Sequence, residues 1–185
     1  MVGFLVYYKD KILCIINVFM PNVTIVNEQD EVVGAVSESE LYEKKYLHRI
    51  VHVLLFDKDG KIMLQMRSKT KSYAPSYWVT SAGGRVDEGE TYEEAAYREM
   101  KEEIGVSVEL KEMFKDYYEQ SGLESKTGLR IFMTIFSAQY QGEKLTLQES
   151  EVERTEFFTI EEIKKMIENG EKITDELKFI FEKHF

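Results

Sequence analysis

The chain has 185 residues, 43% hydrophobic and 31% charged, enough for one well-buried core and too short for two full domains. Its 34 acidic residues against 24 basic ones give a net charge of −10, which repels phosphate backbones and excludes a general nucleic-acid-binding role. A single cysteine, Cys14, excludes an internal disulfide and a cysteine-rich zinc site, and fits a reducing, cytoplasmic setting.

Residues 1–21 stand apart as an N-terminal extension. The apolar runs MVGFLVYY and ILCIINVFM are interrupted by Lys9, Asp10 and Lys11. Neither reaches the roughly 20 apolar residues of a membrane span, so no membrane partner is expected. A secretory signal would carry its positive charges ahead of the apolar run. The extension is expected to be either an extra strand pair or residues upstream of a start at Met20.

From Val23 to Val36 two short strands flank a polar turn at Asn27 to Asp30, and Ser37 to Lys45 forms a short helix or turn. A β-branched strand spans His48 to Phe56, with a hairpin turn at Asp57 to Gly60 leading into Lys61 to Met66. Arg67 to Tyr77 is a loop rich in cations. Trp78 to Ala82 returns as a strand, which Gly83 and Gly84 are expected to break. Thr91 and Glu94 then have capping-box spacing, and Gly105 is placed to end the helix in a left-handed turn. Further strands are expected at Val106 to Leu110 and Arg130 to Tyr140. Two helices close the chain, Ile160 to Asn169 stopped by Gly170, and Asp175 to His184 capped by Thr174. Strands early, one central helix and helices last suggest an α/β sandwich rather than a doubly wound sheet.

The chemistry lies in GRVDEGETYEEAAYREMKEEIGV. Glu99, Glu102 and Glu103 fall at i, i+3 and i+4, so a helix projects them from one face within an arc of about 100°. Like charges this close repel, and the penalty grows in lower dielectric. A hard divalent cation removes it, and oxygen-only ligands suit magnesium. Ala95 and Ala96, one turn back, are small enough for the Gly83–Gly84 backbone to approach, so that Gly83 could offer its carbonyl as a further ligand. Most glutamate-rich helices are solvated faces, so the carboxylates alone decide nothing.

The surrounding register decides it. Gly84, Glu90, Arg98-Glu99, Met100, Glu102-Glu103 and Gly105-Val106 stand in the spacing GX5EX7REUXEEXGU, where U is aliphatic. This segment resembles the Nudix box in every fixed position. The resemblance implies an α+β fold, the Nudix α/β/α sandwich with a mixed sheet and the Nudix loop–helix–loop, as a single domain over residues 22–185. It implies that Glu99, Glu102 and Glu103 ligate Mg2+ or Mn2+ and that one of them serves as base toward water. It also implies that Arg98 orients the carboxylates through Glu90, and that Gly84 lets the loop wrap onto the helix. The implied reaction is hydrolysis of a phosphoanhydride in a small-molecule diphosphate by metal-activated water. A homodimer is a family-level expectation. Family members often recruit a later acidic residue, for which Glu149, Glu151 and Glu153 are candidates and Glu151 the favoured one.

Outside the box, Arg67 is the best placed of Arg67, Lys69 and Lys71 to bind substrate phosphate. Trp78 and Tyr77 are expected in packing rather than base stacking, and His48 and His52 as structural residues. Substrate choice is assigned to the Arg67 to Tyr77 loop, the Tyr117 to Leu129 segment and the final helices.

The stretches VTIVNEQDEVVG, LHRIVHVLLFDKDGKIMLQMRS and PSYWVTSAGGRVDEGETYEEAAYRE resemble the Nudix branch related to isopentenyl-diphosphate isomerase. That isomerase needs a catalytic cysteine where this chain has Gly83 and a metal-binding histidine where it has Arg85. The expected function is therefore a hydrolase acting on a nucleoside di- or triphosphate or a nucleoside diphosphate derivative. The alternatives are the isomerase and a ligand sensor that has lost catalysis.

Overall fold

The β-branched and apolar run from His48 to Phe56 forms the strand around which the molecule is built. The computed structural model describes residues 2–8, 11–18, 21–120 and 129–185, the first two stretches as backbone only. In chain order the strands are β1 (Val2–Tyr8), β2 (Lys11–Val18), β3 (Val23–Val26), β4 (Val32–Val36), β5 (His48–Phe56), β6 (Ile62–Arg67), β7 (Trp78–Val79), β8 (Ala82–Arg85), β9 (Leu110–Glu119), β10 (Arg130–Gln139) and β11 (Val152–Phe158). The helices are α1 (Glu38–Lys44), α2 (Tyr92–Ile104), α3 (Ile160–Glu168) and α4 (Asp175–His184).

Strands β1 and β2 form an antiparallel pair of their own. The other nine make a mixed sheet with the path β11-β6-β5-β10-β9. Within it β5 and β10 run parallel, while β3, β6 and β8 pair antiparallel with β5. Strand residues alternate between faces, and the core divides accordingly. Val51, Val53, Leu55 and Met63 pack on α2 through Ala95, Ala96, Met100 and Ile104. On the opposite face, Leu54, Ile62, Leu64, Met133 and Ile135 pack on α3 and α4 through Ile163, Leu177, Ile180 and Phe181. The result is the helix–sheet–helix sandwich expected from the element order. No helix among the described residues is long and apolar enough to cross a membrane.

Local chemistry fixes α2, the helix that matters for function. Thr91 and Glu94 complete both halves of the capping box, and Gly105 closes the other end at φ 73°. Helix α3 carries a second capping box, Thr159 with Glu162, and Thr174 caps α4.

Four expectations are corrected. Gly83 and Gly84 do not break a strand but lie inside β8, paired with His52 and Val51 of β5. Glycine is a poor strand former because it packs nothing, yet here there is no space to pack into. A Cβ on Gly83 would stand 2.6 Å from the Val51 carbonyl oxygen, and one on Gly84 would stand 2.1 Å from Glu99 Oε1. The strand expected at Val106 to Leu110 begins only at Leu110, because buried Val106 anchors the chain just after the α2 cap. The strand expected at Trp78 to Ala82 is two, β7 ending at Val79 and β8 opening at Ala82. Residues 152–158, for which no element was expected, form the edge strand β11 against β6. Its exposed Glu153, Arg154 and Glu156 gave it the composition of a loop. Within the segment assigned to substrate choice, Tyr117 to Glu119 belong to β9, and residues 121–128 lie outside the described residues.

Candidate active and metal site

The site forms where the C-terminal half of α2 crosses β8 and β6. Helical spacing does put Glu99, Glu102 and Glu103 on one side of α2, but the edge of the core cuts across that side. Glu103 is 5% exposed and belongs to the buried stripe. The side chain of Glu99 is 14% exposed and that of Glu102 is 55% exposed.

Each carboxylate has its own restraint. Glu103 Oε2 accepts the Gly83 N–H at 3.0 Å and the Gln65 Nε2–H at 3.0 Å. Glu99 Oε1 accepts from Arg98 Nη1 at 2.8 Å, and its carboxylate lies where a Gly84 side chain would be. Arg98 is the hub. Its Nε and Nη2 donate to the two oxygens of Glu90 at 2.7 and 2.9 Å, and Nη2 also donates to the Arg85 carbonyl at 3.0 Å. Glu102 Oε2 stands 3.5 Å from Arg98 Nη1. Glu90 is held in turn by the Asp87 N–H at 3.0 Å. Such a fork fixes direction as well as charge.

Burial pushes Glu103 up to about 8, with the neighbouring Glu99 carboxylate adding to it and the Gly83 and Gln65 donors opposing. Glu99 is raised too, chiefly by burial, against the pull of Arg98. Two adjacent carboxyls that resist losing their protons are a site a divalent cation would stabilise in the ionised form. Among the described residues, no three acidic or histidine side chains already converge as a cation cage. Glu99 is turned to Arg98, and Glu103 to Gln65 and Gly83.

Glycine 83, expected to supply a carbonyl, meets Glu103 through its N–H. The Val86 N–H bonds to the Arg49 carbonyl, so by alternation Gly83 and His52 form a pair not bonded to each other. Both polar groups of Gly83 therefore leave the strand away from β5, and the N–H reaches Glu103.

Of the sequence candidates outside the box, Glu151 comes near enough to Glu103 to add to its raised pKa. Lys71 Nζ pairs with Glu151 Oε2 at 2.5 Å, and the Ser68 N–H donates to the Glu151 carbonyl at 2.8 Å. Arg67 Nε donates to the Tyr73 carbonyl at 3.1 Å, with its guanidinium 5.6 Å from the Tyr73 ring centre. Lys69 is exposed. Trp78 is packed, in an edge contact with Phe158 at 5.2 Å and under the Arg154 guanidinium at 5.0 Å. His48 and His52 are buried, with His48 Nδ1 3.1 Å from the Tyr46 carbonyl and His52 Nδ1 2.8 Å from Thr80 Oγ1. Sequence reasoning missed Gln65 and Asp87. The signal for Gln65 was there, a single amide in the apolar run IMLQM.

The family model described as the NUDIX domain matches residues 46–177. The chain belongs to the Nudix family. An uncharacterized Nudix hydrolase of Listeria monocytogenes is 33% identical over 153 residues, covering 80% of this chain and 86% of the relative. The uncharacterized Nudix hydrolase YfcD of Escherichia coli is 34% identical over 142 residues, covering 76% and 75%. Among solved structures, the Deinococcus radiodurans protein DR0079 superposes with a TM-score of 0.74 at 26% identity, covering 89% of this chain and 99% of that one. The Nudix box thus maps onto the β8–α2 segment, and the Arg98 hub is built from residues within it.

Proposed function

We propose that this Nudix protein is a Mg2+- or Mn2+-dependent hydrolase of a phosphoanhydride bond in a nucleoside di- or triphosphate, or in a nucleoside diphosphate derivative. One observation carries the reading. Two glutamates one helical turn apart, Glu99 and Glu103, are held by separate donors at the edge of the core, with Glu102 beside them at the surface. Only Glu99 of the two has a cationic partner, Arg98, and a purely structural helix gains nothing by burying Glu103 beside it, because each carboxyl disfavours ionisation of the other.

In this reading Glu99, Glu102 and Glu103 hold the cation, with the Gly83 carbonyl as a further donor. When bound, the cation neutralises the diphosphate and lowers the pKa of attacking water. Arg98, fixed on Glu90, keeps Glu99 aimed. Glu103, fixed through Oε2 by Gly83 and Gln65, keeps Oε1 for the cation, and one of the three glutamates takes up a proton from water. Arg67 ends β6 and Lys71 stands on the loop that follows, where a cationic side chain can meet substrate phosphate, and Glu151 is the later acidic residue, paired with Lys71. A cytoplasmic location and a homodimer belong to the same proposal.

The resemblance to the isomerase-related branch concerns the frame and not the chemistry. Gly83 has no side chain to act as nucleophile, and Arg85 is engaged by Glu38 at 2.9 Å and Tyr42 at 3.0 Å. The test is a panel of nucleoside di- and triphosphates, dinucleoside polyphosphates, ADP-ribose, nucleotide sugars and coenzyme A, with Mg2+ and products identified by mass. Cleavage of at least one member is expected, with most of the rate lost in Glu102→Gln or Glu103→Gln. Ligand binding without turnover would favour a sensor, and isomerisation of isopentenyl diphosphate would overturn the hydrolase reading.

A further inference from the structure

Strand β6 runs Ile62, Met63, Leu64, Gln65, Met66, and Gln65 is buried at 2% exposure like its apolar neighbours. Thr155 of β11 and Val79 of β7 pair with it on either side. A buried primary amide must satisfy two donors and an acceptor, and each group left unpaired costs about 1–3 kcal/mol. Leucine or methionine would continue the strand without that cost, so packing alone gives no reason for an amide here.

One end of the amide has a defined partner. Nε2 donates to Glu103 Oε2 at 3.0 Å, and the Gly83 N–H donates to the same oxygen at the same distance. The donors come from two strands, β6 and β8, so the carboxylate is fixed from two directions and Oε1 carries neither bond. At the other end of the amide, Gln65 Oε1 is buried with no hydrogen-bond partner.

We infer that Gln65, outside the Nudix box, is a positioning residue of the hydrolytic site: its amide N–H sets Glu103 so that Oε1 is the oxygen left for a cation, and its amide oxygen is the acceptor for a water bound beside that carboxylate. This rests on the proposed metal-dependent hydrolysis. Gln65 acts through Glu103 and not on substrate, so its loss lowers turnover rather than substrate affinity.

The decisive variant is Gln65→Met, which keeps the length and burial of the side chain and removes the donor. Mn2+ titration of the substrate-free full chain, followed by electron paramagnetic resonance, gives a readout independent of activity. The wild type binds Mn2+, and Gln65→Met binds it about 10–100-fold more weakly. Its kcat falls by a similar factor while KM stays within about threefold. Its melting temperature in chelator equals or exceeds the wild type's, since an unpaired buried acceptor is gone. Mn2+ affinity and kcat both unchanged would overturn the inference. So would a loss of Mn2+ affinity that comes only with a lowered melting temperature in chelator. If Gln65→Met does not fold, Gln65→Glu makes the same comparison with a side chain of the same shape that donates only when protonated. Weakened Mn2+ binding is expected there, and unchanged binding overturns the inference. A wild type that binds no Mn2+ would instead sink the metal-dependent reading itself.

Discussion

Arg98 holds Glu90 in a two-point ion pair, Nε to Oε1 at 2.7 Å and Nη2 to Oε2 at 2.9 Å, and turns its remaining nitrogen to Glu99 at 2.8 Å. One planar cation thus ties the loop before α2 to the carboxylate in the middle of that helix. The hydrogen bonds to Glu90 raise Arg98 further above its already high pKa, so it is charged at any working pH.

Lysine cannot reproduce that fork. Arg98→Lys is expected to keep the fold, lose about 1 kcal/mol or more of stability, and lose roughly tenfold or more in kcat because Glu99 is no longer aimed. Thermal melting and steady-state kinetics on the same preparation check both. A variant with wild-type kcat would show that the fork is only a structural tie.

Gly84 faces Glu99 so closely that a methyl group must displace the carboxylate. Gly84→Ala is expected to cost about 1–3 kcal/mol through overpacking. Displacement of Glu99 by even 1 Å is expected to lower activity by about a hundredfold. Calorimetry with a rate assay separates the two effects, and retention of more than half the rate contradicts the proposed role of Glu99.

Glu103 gives a pH-dependent prediction of definite sign. Its ordinary value is 4.5 and its value in the fold about 8. Between these, the folded chain keeps a proton that the unfolded chain releases. The stability it contributes is therefore complete below pH 4.5 and lost as pH rises through 8. Glu103→Gln removes the titration. In chelator, its melting temperature is expected to exceed that of the wild type by a margin that grows from pH 4.5 to 8, while with Mg2+ most of the hydrolytic rate is lost. Each kcal/mol moves the melting temperature of a chain this size by about 2–4 °C. A constant margin across that range would refute the shift.

The buried histidines act in the opposite direction. Burial lowers His52 from 6.5 to about 4, and chiefly burial does the same to His48. Between pH 4 and 6.5 the unfolded chain binds protons that the folded chain refuses, so stability falls as pH drops through that window. His52→Leu is expected to flatten the decline of the melting temperature from pH 6.5 to 4 relative to the wild type. An identical slope in the two proteins would show that His52 does not contribute.

Much of this architecture was legible in the sequence because its signals are local. Thr91, Glu94 and Gly105 define α2 by capping chemistry that acts within three or four residues. The β-branched, apolar run from His48 to Phe56 defines β5 in the same way. What was hidden depends on partners far along the chain. The glycine pair 83–84 is strand because β5 and Glu99 lie against it, far away on either side in sequence. Charge-rich β11 is strand because β6 supplies its ladder. Likewise the three glutamates share one helix side by spacing alone, but only the position of the core edge separates buried Glu103 from exposed Glu102.

The stretch returning from β10 is fastened to the end of α2, with the Thr146 N–H on the Ile104 carbonyl and the Gln148 N–H on the Glu103 carbonyl. The same stretch leads within three residues to Glu151 and its partner Lys71. Sequence drift can thus act unevenly here. If the loop around Tyr73 and Pro75 selects the substrate, as proposed, it can change freely, while main-chain bonds, which only a proline substitution removes, keep the carboxylate end of the helix in register. A fold wired in this way can diversify its preferences without rebuilding its hydrolytic chemistry.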